Sequence, residues 1–378
     1  MTVRISVACE RADGEKRVAL DPVVATKLAA LGARVQMEHG AGLEARFPDA
    51  AYEGVSFFDR DALLVATDLL LTVAPPGVGD VERLPEGATV IGFFHAHRNP
   101  ALVQALNARR ITSFAMELVP RISRAQSMDA LSSQAAVAGY KAAIMGADLA
   151  CRFFPMLTTA AGTIRPSKVI VLGAGVAGLQ AIATARRLGA VVEAYDVRSA
   201  TKEQVESLGA KFLDLGVSAE GEGGYARELT ADERERQQEA LAGFIAKADV
   251  LITTAAIPGR PSPKLVPESM VRGMKPGAVI IDLAAEGGGN CELTRAGETV
   301  VAHDVVIHGP LNVPSQVALH ASEMYAKNLL NFLQPWIKDG ELVFDFDDEV
   351  VAKSCLTRDG ETVHGPTREQ IGSTAASA

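Results

Sequence analysis

The chemistry most legible in this sequence lies in one short run of glycines and one acid. Gly173, Ala174, Gly175, Val176, Ala177 and Gly178 form a G-x-G-x-x-G run, and Asp196 stands eighteen residues after its last glycine. An apolar stretch expected to be a strand precedes the run, and a helical pattern with an apolar face follows it. In that context each glycine has a task. Gly173 permits the tight turn, Gly175 lets a pyrophosphate approach the backbone, and Gly178 lets helix pack on strand. The helix N-terminus offers unsatisfied N–H groups and the positive end of its dipole to phosphate. Asp196, closing the next strand, can accept hydrogen bonds from the adenosine ribose hydroxyls. Its charge would repel a 2′-phosphate, which favours NAD(H) over NADP(H). Arg198 weakens that preference, because a nearby Arg can accept a 2′-phosphate. A plain tight strand–helix turn is the competing reading, and it leaves the acid at this spacing unexplained.

A dehydrogenase acting on a small substrate also moves a proton, so it needs a general acid/base and usually a cation for a carboxylate. Lys16, Arg17, His95, His97 and Glu286 are available, and none forms a diagnostic set. Lys16 and Arg17 read equally well as a solvated loop, and the two His as loop or helix-entry residues before Asn99-Pro100. Hydride transfer between two nicotinamides needs no such set, only two rings held at about 3–3.5 Å in the right orientation. A second polar cluster, Arg121, Arg124, Gln126 and Asp129, precedes a run of Ala, Ser and Gly. Read locally it is a solvated loop, a helix cap or a site, and Asp129 suits a helix N-terminus.

These residues need elements to hold them. Strands are expected at Val3–Cys9, Arg34–Glu38, Asp68–Val73, Thr89–Phe94 and Ile111–Met116. Helices between them should open at Asp21-Pro22 and Asn99-Pro100, since Asp and Asn cap helices and Pro suits the first helical position. A long small-residue helix should run from about Asp129 to Phe154, followed by a connector, TTAAGTIRPSK. A second set of strands is expected near 169–172, 191–196, 249–253, 278–282 and 305–308, and another long helix at Ser315–Trp336. Strands alternating with helices imply parallel sheets. The fold class expected is therefore α/β: two Rossmann-like domains with parallel sheets, the first discontinuous, and a cleft between them. Residues 1–130 plus 317–378 would form the first domain and 131–316 the NAD-binding one. The tail Glu341–His364 reads as short strands around an Asp359-Gly360 turn, with fraying after Pro366.

The chain has 378 residues, 48% hydrophobic and 22% charged, with a net charge of -9, which gives no electrostatic footprint for nucleic acid. No run of about 18 apolar residues suggests direct membrane insertion, and the N-terminal apolar patch is too short for a secretory signal, so cytoplasm is expected. Four cysteines are spread without a CxxC pair and seven histidines without an HExxH pattern, so no metal site is expected.

PRISRAQSMDALSSQAAVAGYKA, GAGVAGLQAIATARRLGA, TKEQVESLGAKF, GGYARE, TTAAIPGRPSPKL and VIIDLAAEGGGNCELT together resemble the NAD(H)-binding component, domain I, of proton-translocating nicotinamide nucleotide transhydrogenases. The resemblance spans roughly residues 3–364, and the related alanine dehydrogenases share the early RVAL, Arg17–Leu20. It implies an alpha subunit that transfers hydride between its NAD(H) and NADP(H) held on a partner component, in the Si/Re-specific type of reaction. It also implies a homodimer, peripherally attached to the inner membrane through proton-channel subunits. By the same resemblance Arg121, Gln126, Asp129 and Ser132 hold the nicotinamide end. Gln126 suits the carboxamide, Asp129 and Ser132 the carboxamide or ribose, and Arg121 the loop or the pyrophosphate. Tyr225 would tip a mobile loop, Gly221–Glu228, that closes over the nucleotide. Val197, Thr254 and Ala255 complete the expected nucleotide-binding set. A stand-alone alanine dehydrogenase is the alternative. Against it, Thr72 stands where those enzymes place a Lys, Glu286 is offered where they place a catalytic Asp, and His95 matches their His only ambiguously. Ala8-Cys9-Glu10 likewise departs from the Pro-Lys-Glu common among transhydrogenases.

Overall fold

The computed structural model describes residues 2–216, 219, 227, 229–256 and 261–375. The chain divides into two compact units, Met1–Gln134 with Ser315–Ala378, and Ala135–Pro314. Each is an α/β layer structure around its own sheet.

The first unit has eight strands in the order Glu361–Thr362, Cys355–Arg358, Thr112–Ala115, Thr89–Gly92, Leu69–Leu71, Arg4–Val7, Arg34–Glu38 and Ser56–Phe58. The inner pairs are parallel, and Cys355–Arg358 runs antiparallel to Thr112–Ala115. Leu69–Leu71 is buried on both faces, as a central parallel strand requires. Alternate residues feed two apolar layers. Ile5, Val7, Leu69, Leu71 and Phe114 pack with Tyr325, Leu329 and Phe332 of the helix Ala318–Leu333. Leu70 and Val90 face the other way, onto Leu63, Leu64, Val81 and Leu102. Asp21 caps the helix Pro22–Ala30, its Oδ1 accepting from the Val24 amide at 2.7 Å.

Asn99 does not cap as expected. Its side-chain amide instead donates to the Phe94 and His95 carbonyls at 2.9 and 3.3 Å, and the helix Pro100–Ala108 begins without a side-chain cap. The tail holds the expected hairpin at Asp359-Gly360, both at positive φ, but also a helix, Glu349–Ser354, capped by Asp348. Residues 367–375 continue a helix, Gly365–Ala375, where fraying was expected, and 376–378 lie outside the described residues.

The second unit orders its strands Lys211–Phe212, Val191–Tyr195, Lys168–Leu172, Val250–Thr253, Val279–Asp282, Val305–His308 and Thr299–Ala302, all parallel except the last. The chain winds outward one way from Lys168–Leu172 and then returns to wind the other way from Val250–Thr253. The order therefore reverses between these two neighbours, and in open α/β sheets the crevice at the carboxyl ends of such a pair is where ligands bind. Val169, Val171, Val250 and Ile252 meet Ala142, Ala181 and Ile182 on one face; Ile170, Leu172 and Leu251 meet Leu241 and Ile245 on the other. The small residues of the helix Ala130–Leu149 have a packing reason: a methyl on Gly139 would lie 2.8 Å from the Ala177 carbonyl carbon. The expected connector forms a hairpin, Leu157–Thr159 with Gly162–Ile164, whose six residues are all exposed. Among the described residues no helix is long and apolar enough to cross a membrane.

Candidate nucleotide-binding site

The glycine run sits at the switch point of the second unit. Gly173 leaves the strand Lys168–Leu172 at φ +95, and a methyl there would lie 2.6 Å from Thr254 Oγ1. That hydroxyl donates to the Gly173 carbonyl at 3.1 Å, so the ends of the two central strands are tied across the turn. Gly175 is the N-cap of the helix Val176–Arg187, and no side chain caps that end. A methyl on Gly178 would fall on the Gly173 carbonyl oxygen and lie 2.8 Å from its carbon, so only glycine lets helix and turn close. Among the described residues a methyl on Gly175 would have nothing nearer than Arg198 Nη2 at 3.9 Å, so they leave its outer side open. An uncapped helix end behind an open glycine has the polarity that a pyrophosphate seeks.

Asp196 lies beside the turn and is buried, with 7% exposure. Its Oδ2 accepts from the Ala174 amide at 2.7 Å, and Arg198 grips the carboxylate from the other side. Val197 is half-buried and Thr254 closes the turn from below. Ala255 is held by Asn290, whose side chain accepts from the Ala255 amide at 3.0 Å and donates to its carbonyl at 2.8 Å. Asn290 is fully buried, as is Asp282, which accepts from Thr253 Oγ1, the Ala284 and Cys291 amides and Thr294 Oγ1. Sequence reasoning assigned neither residue, although both lie in the motif VIIDLAAEGGGNCELT. Glu286 is exposed and accepts from the Asn312 amide at 2.9 Å, with no acid/base partner beside it among the described residues. Tyr225 and most of the Gly221–Glu228 loop lie outside the described residues.

The polar cluster lies in the first unit, on the short helix Ser123–Met128 leading into Ala130–Leu149. Arg121 and Gln126 are exposed. Asp129 accepts from the Ser132 amide at 2.9 Å and from Ser132 Oγ at 2.6 Å, so these two form a helix cap. Arg124 pairs with Asp348 at 2.8 Å. Asn328 and Asn331, on Ala318–Leu333, both donate to the Ser127 carbonyl, at 2.9 and 3.0 Å. Asn328 Oδ1 also accepts from Ser133 Oγ at 2.6 Å.

Arg17 is not on a solvated loop. It is buried, paired with Glu15 at 2.6 Å, and donates to Gln134 Oε1 at 2.8 Å. Lys16 is exposed, with its amide on Ser315 Oγ. His95 has φ 45 and stacks on Phe93, while Glu117 accepts its amide at 2.7 Å. His97 is exposed, and desolvation followed by the Arg98 charge lowers its pKa.

The first unit has a switch point too, between Arg4–Val7 and Leu69–Leu71. A cavity of about 410 Å³ there is lined by Cys9, Glu10, Arg60, Thr72 and Asp80 among others. The Glu10 carboxylate accepts from the Val73 and Ala74 amides at 2.6 and 3.1 Å, and burial pushes its pKa up to about 7. Arg60 is held between Glu38 and Asp80. Thr72 supplies a short hydroxyl to the cavity, and Arg11 and Arg83 also line it.

The N-terminal and C-terminal domain profiles of alanine dehydrogenase/PNT match residues 6–138 and 142–365. The chain belongs to the alanine dehydrogenase/PNT family. Within that family it is 51% identical, over 376 residues, to an NAD(P) transhydrogenase alpha subunit polypeptide of Rhodospirillum rubrum, covering 96% of this chain and 98% of that one. Alanine dehydrogenase of Mycobacterium tuberculosis is more distant, 29% identical over 351 residues, covering 89% of this chain and 86% of that one. Among solved structures, a transhydrogenase from Sinorhizobium meliloti aligns with a TM-score of 0.85 at 44% identity, covering 96% of this chain and 99% of that one. An L-alanine dehydrogenase shares the fold, with a TM-score of 0.81 at 23% identity over 98% of this chain and 99% of that one. The transhydrogenase resemblance seen in the motifs extends over 96% of the chain.

Proposed function

We propose that this chain is the NAD(H)-binding component of a proton-translocating NAD(P) transhydrogenase. It exchanges hydride between its own NAD(H) and NADP(H) bound on a partner component. The observation that carries the reading is the open glycine cradle with Asp196 at the switch point, in a chain 51% identical along nearly its whole length to a transhydrogenase alpha subunit.

The bound nicotinamide would supply hydride-transfer chemistry between two rings, which asks no acid/base group of the protein. The protein's part is binding and orientation. Gly175, Val176, Ala177 and Gly178 present backbone N–H groups to the pyrophosphate, Gly173 makes the turn with its own N–H donated to the Tyr195 carbonyl at 2.8 Å, and Asp196 with Val197 reads the adenosine ribose, with Arg198 beside them. Thr254 and Ala255, braced by Asn290, shape the floor. Gln126 and Arg121, exposed on their loop, are assigned to the nicotinamide end, with Asp129 and Ser132 fixing the loop's exit into the helix. Tyr225 is assigned to a loop that closes over the nucleotide. Arg17 is engaged by Glu15 and Gln134, and Thr72 stands where the alanine dehydrogenases place a Lys, which disfavours amino-acid oxidation.

The partner component and the proton channel lie on other subunits in this reading, which places the chain at the cytoplasmic face of the inner membrane as a peripheral subunit. The exposed hairpin supports a homodimer. Met156, Leu157 and Ile164 are 63%, 38% and 47% exposed on a two-stranded ribbon, which is marginal alone and gains by packing on a second copy.

The test mixes the chain with an NADP(H)-binding transhydrogenase component and follows hydride transfer from NADPH to an NAD analogue. Transfer dependent on both proteins is expected. Oxidation of alanine by NAD, with no transfer in the mixture, would replace this reading with the dehydrogenase one.

A further inference from the structure

This inference rests on the reading of Asp196 as the group that receives the adenosine ribose. A carboxylate offers about four acceptor positions. All four are already filled from within the chain. Oδ1 accepts from the Arg198 amide and from Arg198 Nε, both at 2.8 Å. Oδ2 accepts from the Ala174 amide and from Arg198 Nη2, both at 2.7 Å. The Ala174 amide belongs to the glycine turn and the Arg198 amide to the loop after Asp196, and neither can leave without moving its backbone. The guanidinium sits on a flexible stem, with its side chain 22% exposed, and it is the only one of these donors able to withdraw. Among the described residues the same guanidinium is the nearest group to the open side of Gly175, 3.9 Å from where a methyl there would stand. One side chain thus covers the ribose-reading carboxylate and borders the glycine that a pyrophosphate must approach.

We propose that Arg198 is the gate and the selectivity residue of this site. Its guanidinium occupies on Asp196 the positions that the ribose hydroxyls need, and it must swing aside for NAD(H) to enter. Once displaced, it remains at the mouth as a cation facing the 2′-position. Paired, Asp196 and Arg198 are together neutral, so the repulsion of a 2′-phosphate expected from the acid alone is muted. The two nucleotides should therefore respond in opposite directions to the loss of Arg198. NAD(H) is spared the displacement step, since its apparent affinity is reduced by the fraction of protein in which the gate is closed. NADP(H) loses the favourable charge that Arg198 supplies and meets a bare carboxylate.

The experiment measures NADH binding by fluorescence titration and NADPH by its displacement of NADH, on the full chain and on Arg198→Ala. The expected result is NADH binding about 3–10-fold tighter and NADPH binding about tenfold or more weaker. Arg198→Lys keeps the charge but not the two-pronged grip, and should lie between them. If Arg198→Ala melts early, Arg198→Gln is read in its place. Weaker NADH binding in the variant would make Arg198 an ordinary contact and overturn the gate. A NADH-to-NADPH ratio unchanged, or NADPH displacing NADH from neither protein, would overturn the selectivity role while the NADH titration still decides the gate. Wild-type chain that binds no NADH would instead sink the functional reading itself.

Discussion

Two glycines of the same motif, three residues apart, should fail in different ways when changed to alanine. At Gly178 the new methyl falls on the Gly173 carbonyl, 2.8 Å from its carbon, with Thr254 Oγ1 at 3.3 Å. Both Gly173 atoms are backbone, so the clash is relieved only by prising helix Val176–Arg187 off the turn. Overpacking of this kind costs about 1–3 kcal/mol. For a unit of residues 135–314, at about 2–4 °C per kcal/mol, Gly178→Ala should lower the melting temperature by roughly 2–12 °C and abolish NADH binding with it. At Gly175 the backbone, φ -76 and ψ -168, suits any residue, and among the described residues the methyl meets nothing nearer than 3.9 Å. Gly175→Ala should therefore melt at or slightly above wild type, by about 0.4–1 kcal/mol of unfolded-chain entropy. Yet its methyl stands between backbone and phosphate, and loss of one charge-assisted bond of about 1.5–3 kcal/mol weakens NADH binding at least tenfold or so. Differential scanning fluorimetry and NADH titration read both quantities. Wild-type binding in Gly175→Ala would show that no nucleotide crosses this turn. A Gly178→Ala protein as stable as wild type would refute the close-approach argument.

Gln126→Ala should leave NADH affinity within about threefold and slow hydride transfer at least tenfold, because an exposed side chain that orients the ring is lost; stopped-flow transfer against equilibrium binding separates the two. Asp196→Ala should weaken NADH binding by about 1–3 kcal/mol and narrow the gap to NADPH, measured by the same titrations. Glu10 holds its proton more tightly folded than unfolded, with its pKa pushed up to about 7 by burial. Its contribution to stability is therefore present at acid pH and lost as pH rises through about 7; melting curves from pH 5 to 8 should show a decline that Glu10→Gln flattens. Leu157→Asp with Ile164→Asp should convert a dimer to a monomer in analytical ultracentrifugation without lowering the melting temperature of the monomer, since both side chains are exposed.

Much of the architecture was readable because it rests on local rules. Strand Arg34–Glu38 and helix Pro22–Ala30 follow from apolar runs, a capping Asp and a following Gly32 at φ +88. Strands that escaped notice, Ser56–Phe58 and Thr299–Ala302, are short and lie at sheet edges, where neither face demands a long apolar pattern. The helix Glu349–Ser354 was hidden among short strands because six residues carry little periodicity. Asn99 was placed correctly before its helix, but its side chain found nearer carbonyls at Phe94 and His95.

At the site the division is sharper. By itself the sequence determined that a glycine-rich turn joins a strand to a helix with an acid closing the next strand, because the spacing of residues along strand, turn and helix follows from backbone geometry alone. Pairings across the fold were decided only by tertiary structure. Arg17 looked solvated until Gln134 and Ser315, more than a hundred residues away, closed over it and Glu15. Asn290 and Asp282 became braces only when their loop met the ends of other strands. Asp196 was legible as an acceptor, whereas the grip of Arg198 that fills its remaining positions depends on side-chain rotamers that no spacing encodes.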